Sequence, residues 1–186
     1  MNGLLVSTGV VALAEIGDKT QLLALVLACR WRKPIPIILG IFVATLANHA
    51  AAALVGVTVT EFLGPQTLKW LLGLGFLAMA GWMFVPDTLD DAEGEPRAAK
   101  YGPFLATLVT FFLVEIGDKT QIATVALAAE FQNLWLVTLG TTIGMMIANV
   151  PVVLVGNTAA GRIPLGLVRG VSAALFAVLG VMALVW

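Results

Sequence analysis

Charge is scarce in this sequence, and its scarcity excludes most classes of protein. Of the 186 residues only 11% are charged, whereas 60% are hydrophobic and the mean hydropathy is +1.00. Soluble domains carry about 25% charged and roughly 45–50% apolar residues, and disordered chains need low hydrophobicity. The composition therefore argues against a soluble enzyme and against a disordered chain, and it predicts an integral membrane protein surrounded by lipid.

Cysteine, histidine and basic residues are also few. Cys29 is the only cysteine and His49 the only histidine, so neither an internal disulfide nor a cluster of thiolates or imidazoles is expected. Ten Lys and Arg are balanced by eleven Asp and Glu, which leaves no basic surface for a nucleic-acid partner. No positive charge precedes the first apolar stretch, so we expect it to belong to the mature protein and not to a signal peptide.

Long apolar runs, in contrast, fill the chain. A helix needs about 20 apolar residues to cross the hydrocarbon core of a bilayer, and six stretches approach or exceed this length. They cover residues 4–29, 35–59, 67–85, 103–129, 134–155 and 165–186. We therefore predict an all-α membrane protein with six transmembrane helices.

The two halves of the chain are related by an internal repeat. Glu-Ile-Gly-Asp-Lys-Thr-Gln occurs at 15–21 and again, letter for letter, at 115–121. Each half holds three apolar stretches, an odd number, so the second half enters the membrane from the opposite side. This is the inverted repeat on which many secondary transporters are built. The predicted parts are a first repeat over 1–86, an acidic cytoplasmic linker over 87–102 and a second repeat over 103–186.

The basic residues predict the orientation of the chain. Lys and Arg are enriched in cytoplasmic loops, and placing the N-terminus outside leaves only Lys69 on the outer side. Seven basic residues then lie on the cytoplasmic side: Arg30, Arg32, Lys33, Arg97, Lys100, Arg162 and Arg169. Both termini are therefore expected outside.

The repeated motif places acidic groups near the middle of the membrane, where each charge costs at least ~2.5–3.5 kcal/mol. Glu15 and Asp18 are three residues apart and would share one face of a continuous helix. Inversion would bring them together with Glu115 and Asp118. Four carboxylates form a hard-oxygen site that suits Ca²⁺, Mn²⁺ or Mg²⁺. The alternative is a purely structural set of intramembrane salt bridges, which a doubled, identical motif makes the weaker hypothesis.

Other polar residues are weaker candidates for ligands or for gating. They are Gln21, Gln121, Asn48, Asn149, Lys19, Lys119, Thr20 and Thr120. We expect Lys19 and Lys119 to balance charge or to gate the site and not to contact the cation. Gly17 either admits another backbone or breaks the helix. Asn48 aligns with Asn149 if one residue is inserted, which leaves His49, a candidate for proton transfer, without a counterpart.

Clustered carboxylates also predict proton coupling. Like charges and lost hydration disfavour ionisation, so an empty site would take up protons and an arriving divalent cation would expel them. No resident cofactor is expected; the transported species are the divalent cation and H⁺.

The doubled motif resembles that of the second Ca²⁺:cation antiporter family, which includes Golgi manganese/calcium transporters, a thylakoid member and bacterial manganese exporters. The stretch from Gly140 to Pro151 is also similar to the second repeat of that family. The resemblance implies export of Mn²⁺ or Ca²⁺ in exchange for protons. It also implies that Glu15, Asp18, Glu115 and Asp118 bind the cation, and the small size resembles prokaryotic members of the inner membrane. The first repeat departs from the pattern, with His49 where the second has Val150 and Pro151.

Two other functions compete with an antiporter. A membrane-embedded enzyme such as a lipid pyrophosphate phosphatase would use arginines on its phosphates, but all five arginines are predicted at the inner boundary or in loops. A passive divalent channel can also use rings of carboxylates. The sequence leaves open the oligomeric state and the choice between Mn²⁺ and Ca²⁺.

Overall fold

Eight α-helices account for most of the residues that the computed structural model describes, which are 2–85, 98–155 and 165–185. They are α1 (Asn2–Glu15), α2 (Lys19–Trp31), α3 (Pro34–Phe62), α4 (Pro65–Trp82), α5 (Pro103–Glu115), α6 (Lys119–Phe131), α7 (Leu134–Val155) and α8 (Leu165–Val185). A short 3₁₀ helix, Ala99–Tyr101, precedes α5. The class is all-α, as predicted. Most of the acidic linker lies outside the described residues.

Four of the six predicted apolar stretches form one helix each, α3, α4, α7 and α8. The stretches at 4–29 and 103–129 do not, because each is divided at its motif into two half-length helices. The expectation that Glu15 and Asp18 share a helix face is therefore wrong. Glu15 is the last residue of α1, and Asp18 is the N-cap of α2.

A glycine in the left-handed region produces each break. Gly17 has φ 84° and Gly117 has φ 79°, a conformation that costs little only for glycine. The backbone turns so sharply that the amide of Asp18 donates to the carbonyl of Glu15 at 3.0 Å, and the amide of Asp118 donates to Glu115 at 3.1 Å. Of the two roles expected for Gly17, breaking the helix is the one observed.

The helices of one half pack mainly against those of the other. The α1 helix lies along α7, α5 lies along α3, and α4 pairs with α8. Glycines permit these close approaches: a Cβ on Gly140 would lie 2.6 Å from the carbonyl oxygen of Leu4, and one on Gly40 would lie 2.8 Å from Cβ of Thr107. Each broken helix is thus held by the long helix of the other half.

Three of the described helices are long and apolar enough to cross a membrane. They are Pro34–Phe62, Leu134–Val155 and Gly166–Val185, and Gly3–Glu15 and Pro103–Glu115 are shorter apolar helices. Many large apolar side chains point outwards, among them Ile35, Trp135 and Leu167, each at least two-thirds exposed. A surface of this kind fits a lipid environment.

Candidate functional site

The two breaks lie together in the interior of the helix bundle. The four motif carboxylates are among its most buried groups, with 0% of Glu15, 1% of Asp18, 1% of Glu115 and 4% of Asp118 exposed. A charged group in such surroundings costs free energy unless it is paired, bound to a cation or protonated. The partners of each carboxylate therefore indicate what the arrangement can do.

The two glutamates have parallel environments. The Thr20 hydroxyl donates to Oε1 of Glu15, and the Thr120 hydroxyl donates to Oε1 of Glu115 at 2.5 Å. Oε1 of Glu15 also accepts from Nδ2 of Asn149 at 3.0 Å. In both glutamates Oε2 is buried and has no hydrogen-bond partner among the described residues. Each glutamate thus has one oxygen fixed in place and one that could accept a cation or a proton.

The two aspartates occupy equivalent places at the two breaks. Each is the N-cap of the helix that follows its break. Oδ2 of Asp118 accepts from the Thr120 amide at 3.5 Å. The breaks thus place both aspartates, with the glutamates, among the residues expected to bind the cation.

The two motif lysines have different surroundings. Nζ of Lys19 lies 3.9 Å from Oδ1 of Asp118, and the Lys19 side chain is 20% exposed. Lys119 is only 2% exposed; its Nζ lies 3.4 Å from the carbonyl oxygen of Val85 and 5.8 Å from the centre of the Trp82 ring. Lys19 therefore lies beside an aspartate of the other motif, whereas Lys119 reaches towards the end of α4.

The remaining candidates divide into three groups. Asn149, Thr20 and Thr120 contact the glutamates directly. The side-chain oxygens of Gln21 and Gln121 instead accept from the amides of Gly17 and Gly117, at 2.9 and 2.6 Å. These glutamines support the breaks. Asn48 donates to the carbonyl of Phe112 at 3.0 Å and has no described contact with the carboxylates.

The sequence indicated His49 only as a candidate for proton transfer and did not place it at a carboxylate. Nε2 of His49 lies 3.4 Å from Oε1 of Glu115, and both side chains are buried. His49 occupies in the first half the place that Asn149 occupies in the second, so the alignment of Asn48 with Asn149 was wrong. When the two halves are aligned at a constant offset of 100 residues, with no insertion, His49 is equivalent to Asn149. Inserting one residue to match the two asparagines had hidden this equivalence.

The described residues do not yet enclose an ion. No group of three or more His, Cys, Asp or Glu side chains stands ready to hold a metal within the described part of the chain. Each glutamate instead contacts a threonine and a residue of the other half, and Oε2 of each has no hydrogen-bond partner among the described residues. Such an arrangement can bind protons, and it could bind a divalent cation after the two breaks move closer together.

Comparison with known proteins adds independent information. The profile of a family described as "Divalent cation/proton antiporter GDT1" matches residues 3–91 and 103–186. A protein of Vibrio cholerae serotype O1 named "Putative manganese exporter" is 57% identical over 178 residues, which are 95% of this chain and 87% of that protein. A GDT1-like protein of Synechocystis is 29% identical over 190 residues, covering 90% of this chain and 91% of the relative. No solved structure matches the chain.

Proposed function

The chain belongs to the GDT1 family of divalent cation/proton antiporters, and on that premise we propose that it exports Mn²⁺ from the cytoplasm in exchange for protons. The family consists of transporters, so the protein is a divalent cation antiporter and not an enzyme. Mn²⁺ as the substrate is supported by the name of the Vibrio relative and by the carboxylate chemistry of the site. Ca²⁺ binds the same oxygen ligands and is the competing substrate.

Glu15, Asp18, Glu115 and Asp118 are the proposed cation ligands. The observation that carries this assignment is their burial together at two helix breaks, with an unpartnered oxygen on each glutamate. Broken helices with charged groups at their ends are a common way to build an ion site inside a membrane protein. Asn149 and the two motif threonines would orient the glutamates, and Lys19 would balance charge when the cation leaves.

Proton exchange follows from the same groups. Four buried carboxylates cannot all remain ionised without a cation, because like charges and lost hydration both oppose it. Arrival of Mn²⁺ would release protons from the aspartates and the glutamates, and departure of Mn²⁺ would allow protons to bind again. The site would hold either cation or protons on each crossing, which is the requirement for antiport.

Two inverted repeats with six membrane spans, over 1–86 and 103–186, are the proposed architecture. It is supported by equivalent contacts that each half makes with the other. Glu15 of the first half contacts Asn149 of the second, and Glu115 of the second contacts His49, the equivalent residue of the first. In the same way α1 packs on α7, and its equivalent α5 packs on α3. The charge bias of the loops supports outside termini in a bacterial plasma membrane.

Alternating access is supported by a difference between the two ends of the bundle. At the end predicted to be outside, Gly56 packs so closely on α6 that a Cβ there would collide with the Val125 carbonyl. At the opposite end, the equivalent helices α2 and α7 pack less extensively than α6 and α3, and Cys29, Arg32 and Val153 help to line a cavity of about 450 Å³. A cavity of about 580 Å³ also lies at the outer end, beside Lys69 and Glu130, so the difference in helix packing is what supports a state open towards the cytoplasm.

Transport in reconstituted vesicles tests the proposal. With an acidic interior and the membrane potential clamped by potassium and valinomycin, we expect Mn²⁺ to accumulate above its external concentration. A channel cannot produce accumulation under these conditions. Glu15→Gln and Asp118→Asn should each abolish proton-driven uptake, since each removes a proposed ligand that also binds a proton.

A control variant separates site effects from folding effects. Thr58 lies near the surface of α3 and bonds only within its own helix, to Leu54 and Val55. Thr58→Val should transport like the wild type. Wild-type activity in Glu15→Gln would refute the ligand assignment, and absence of uphill Mn²⁺ transport by the wild type would refute the function.

A further inference from the structure

The two halves of the site differ at one pair of equivalent positions. Glu15 accepts a hydrogen bond from the amide of Asn149 at 3.0 Å. Glu115 faces the imidazole of His49 at 3.4 Å instead. The threonine that donates to each glutamate is the same in both motifs, so the second contact of each glutamate is where the kind of donor atom available to a cation differs.

His49 is poorly satisfied by hydrogen bonds where it lies. The side chain is fully buried, and Nδ1 has no hydrogen-bond partner among the described residues. The Nε2–Oε1 distance of 3.4 Å exceeds the usual 2.7–3.2 Å of an N–H···O bond. Leaving a buried polar atom without a partner costs free energy. A purely structural histidine at this place would be expected to make better hydrogen bonds.

The same distance fits two neighbouring ligands of one divalent cation. Ligand atoms about 2.1 to 2.6 Å from an ion and at right angles to each other stand roughly 3.0 to 3.7 Å apart. Nε2 of His49 and Oε1 of Glu115 fall within that range. An ion bound by both atoms would replace the weak contact with two coordination bonds, with Oε2 of Glu115 still available as a further ligand.

We propose that His49 is a ligand of the transported cation and makes the site select Mn²⁺ over Ca²⁺. The inference rests on the proposed function and deepens it. Imidazole nitrogen is a good ligand for transition metals, whereas Ca²⁺ takes oxygen ligands. One nitrogen among carboxylate oxygens would therefore favour Mn²⁺, while a site with Asn at both positions would offer oxygen alone.

Because His49 is the only histidine in the chain, coordination can be observed directly. The protein is purified without a histidine tag after growth on ¹⁵N-histidine, and Mn²⁺ is added as the probe. Pulsed electron paramagnetic resonance should detect coupling of the Mn²⁺ electron spin to ¹⁵N, and unlabelled protein should give the ¹⁴N pattern instead. Absence of any histidine nitrogen coupling at bound Mn²⁺ would overturn the proposal, whether or not a variant folds.

His49→Asn tests selectivity by placing in the first half the residue that the second half already has. We expect the ratio of Mn²⁺ to Ca²⁺ transport to fall about tenfold, the lower end of what losing a supporting metal-site residue costs, while Ca²⁺ transport persists. Asn48→Ala, at the adjacent residue, should leave the ratio unchanged. An unchanged ratio in His49→Asn would overturn the role of His49 without affecting the antiporter. Failure of the wild type to move Mn²⁺ would instead overturn the proposed function.

Discussion

At the scale of single residues, Thr20 and Thr120 fix the orientation of the glutamates. Each hydroxyl donates to Oε1 of the glutamate five residues earlier, across the break. Both threonines are fully buried. The hydroxyl therefore links the end of one half-helix to the start of the next and holds the carboxylate so that Oε2 stays available.

Thr120→Val should weaken cation binding without changing the shape of the site. Valine has nearly the same volume but lacks the donor, so Oε1 of Glu115 would lose its shortest hydrogen bond. We expect the Mn²⁺ concentration for half-maximal transport to rise about tenfold. Thr120→Ser keeps the hydroxyl and serves as the control. Equal values for the two variants would contradict the role given to the hydroxyl.

Residue types and spacing predicted which residues form the candidate site better than they predicted what each of those residues contacts. The doubled motif gave the four carboxylates, because buried charge in an apolar chain needs a function or a partner. It could not indicate that Gln21 supports the break, since a glutamine side chain can serve as ligand or as hydrogen-bond acceptor with equal ease. The contact of His49 with Glu115 was not predicted, because aligning Asn48 with Asn149 left His49 without an equivalent in the second half.

At the scale of helices, the breaks are the feature that determines the geometry. A break directs the end of α1 and the start of α2 towards the same point, which a continuous helix would not do. The sequence contained the necessary glycines, but glycine within an apolar stretch is equally compatible with close packing. Gly140 shows that second role. The positive φ of Gly17 and Gly117 is what distinguishes a glycine that breaks a helix from one that allows close helix packing.

Substitution of Gly117 should therefore destabilise the fold through the backbone alone. A Cβ at this position would meet no atom within 4 Å, but φ is +79°. We expect Gly117→Ala to lower the free energy of unfolding by roughly 1–2 kcal/mol, the cost of left-handed geometry for a residue with a Cβ. The measurement is thermal unfolding of the detergent-solubilised protein.

Gly75→Ala is the matched control. Gly75 lies within α4, also with open space around a Cβ and without positive φ. Alanine favours a helix over glycine by roughly 0.5–1 kcal/mol, so this variant should be slightly more stable than the wild type. Equal effects of the two substitutions would argue against a strained backbone at the break.

At the scale of the whole molecule, equivalent positions in the two halves differ in accessibility. Cys29 near the end of α2 is exposed, whereas Ala129, 100 residues later in α6, is 4% exposed. Lys19 is 20% exposed and Lys119 only 2%. At these two pairs of positions α2 is more accessible than α6, which is the asymmetry that the proposed alternating access predicts for a single state.

Cysteine labelling measures this difference with a native probe. A membrane-impermeant maleimide should modify Cys29 rapidly when it reaches the cytoplasmic face of inside-out vesicles. In the double variant Cys29→Ala, Ala129→Cys, the reagent applied from the outside should react at least about tenfold more slowly, because Ala129 is closed off. Similar rates for the two cysteines would contradict the cytoplasm-open assignment, and faster outside labelling of residue 129 would reverse it.

The dependence of each half on the other has a consequence for biosynthesis. Glu15 enters the membrane early, but its partner Asn149 is made 134 residues later. At about 5–20 residues per second, this delay is on the order of ten seconds. During that time the first apolar stretch holds two acids that lack their final neighbours. Insertion of the first half would therefore be provisional, and we expect the nascent chain to depend on the insertion machinery or on bound protons until the second half arrives.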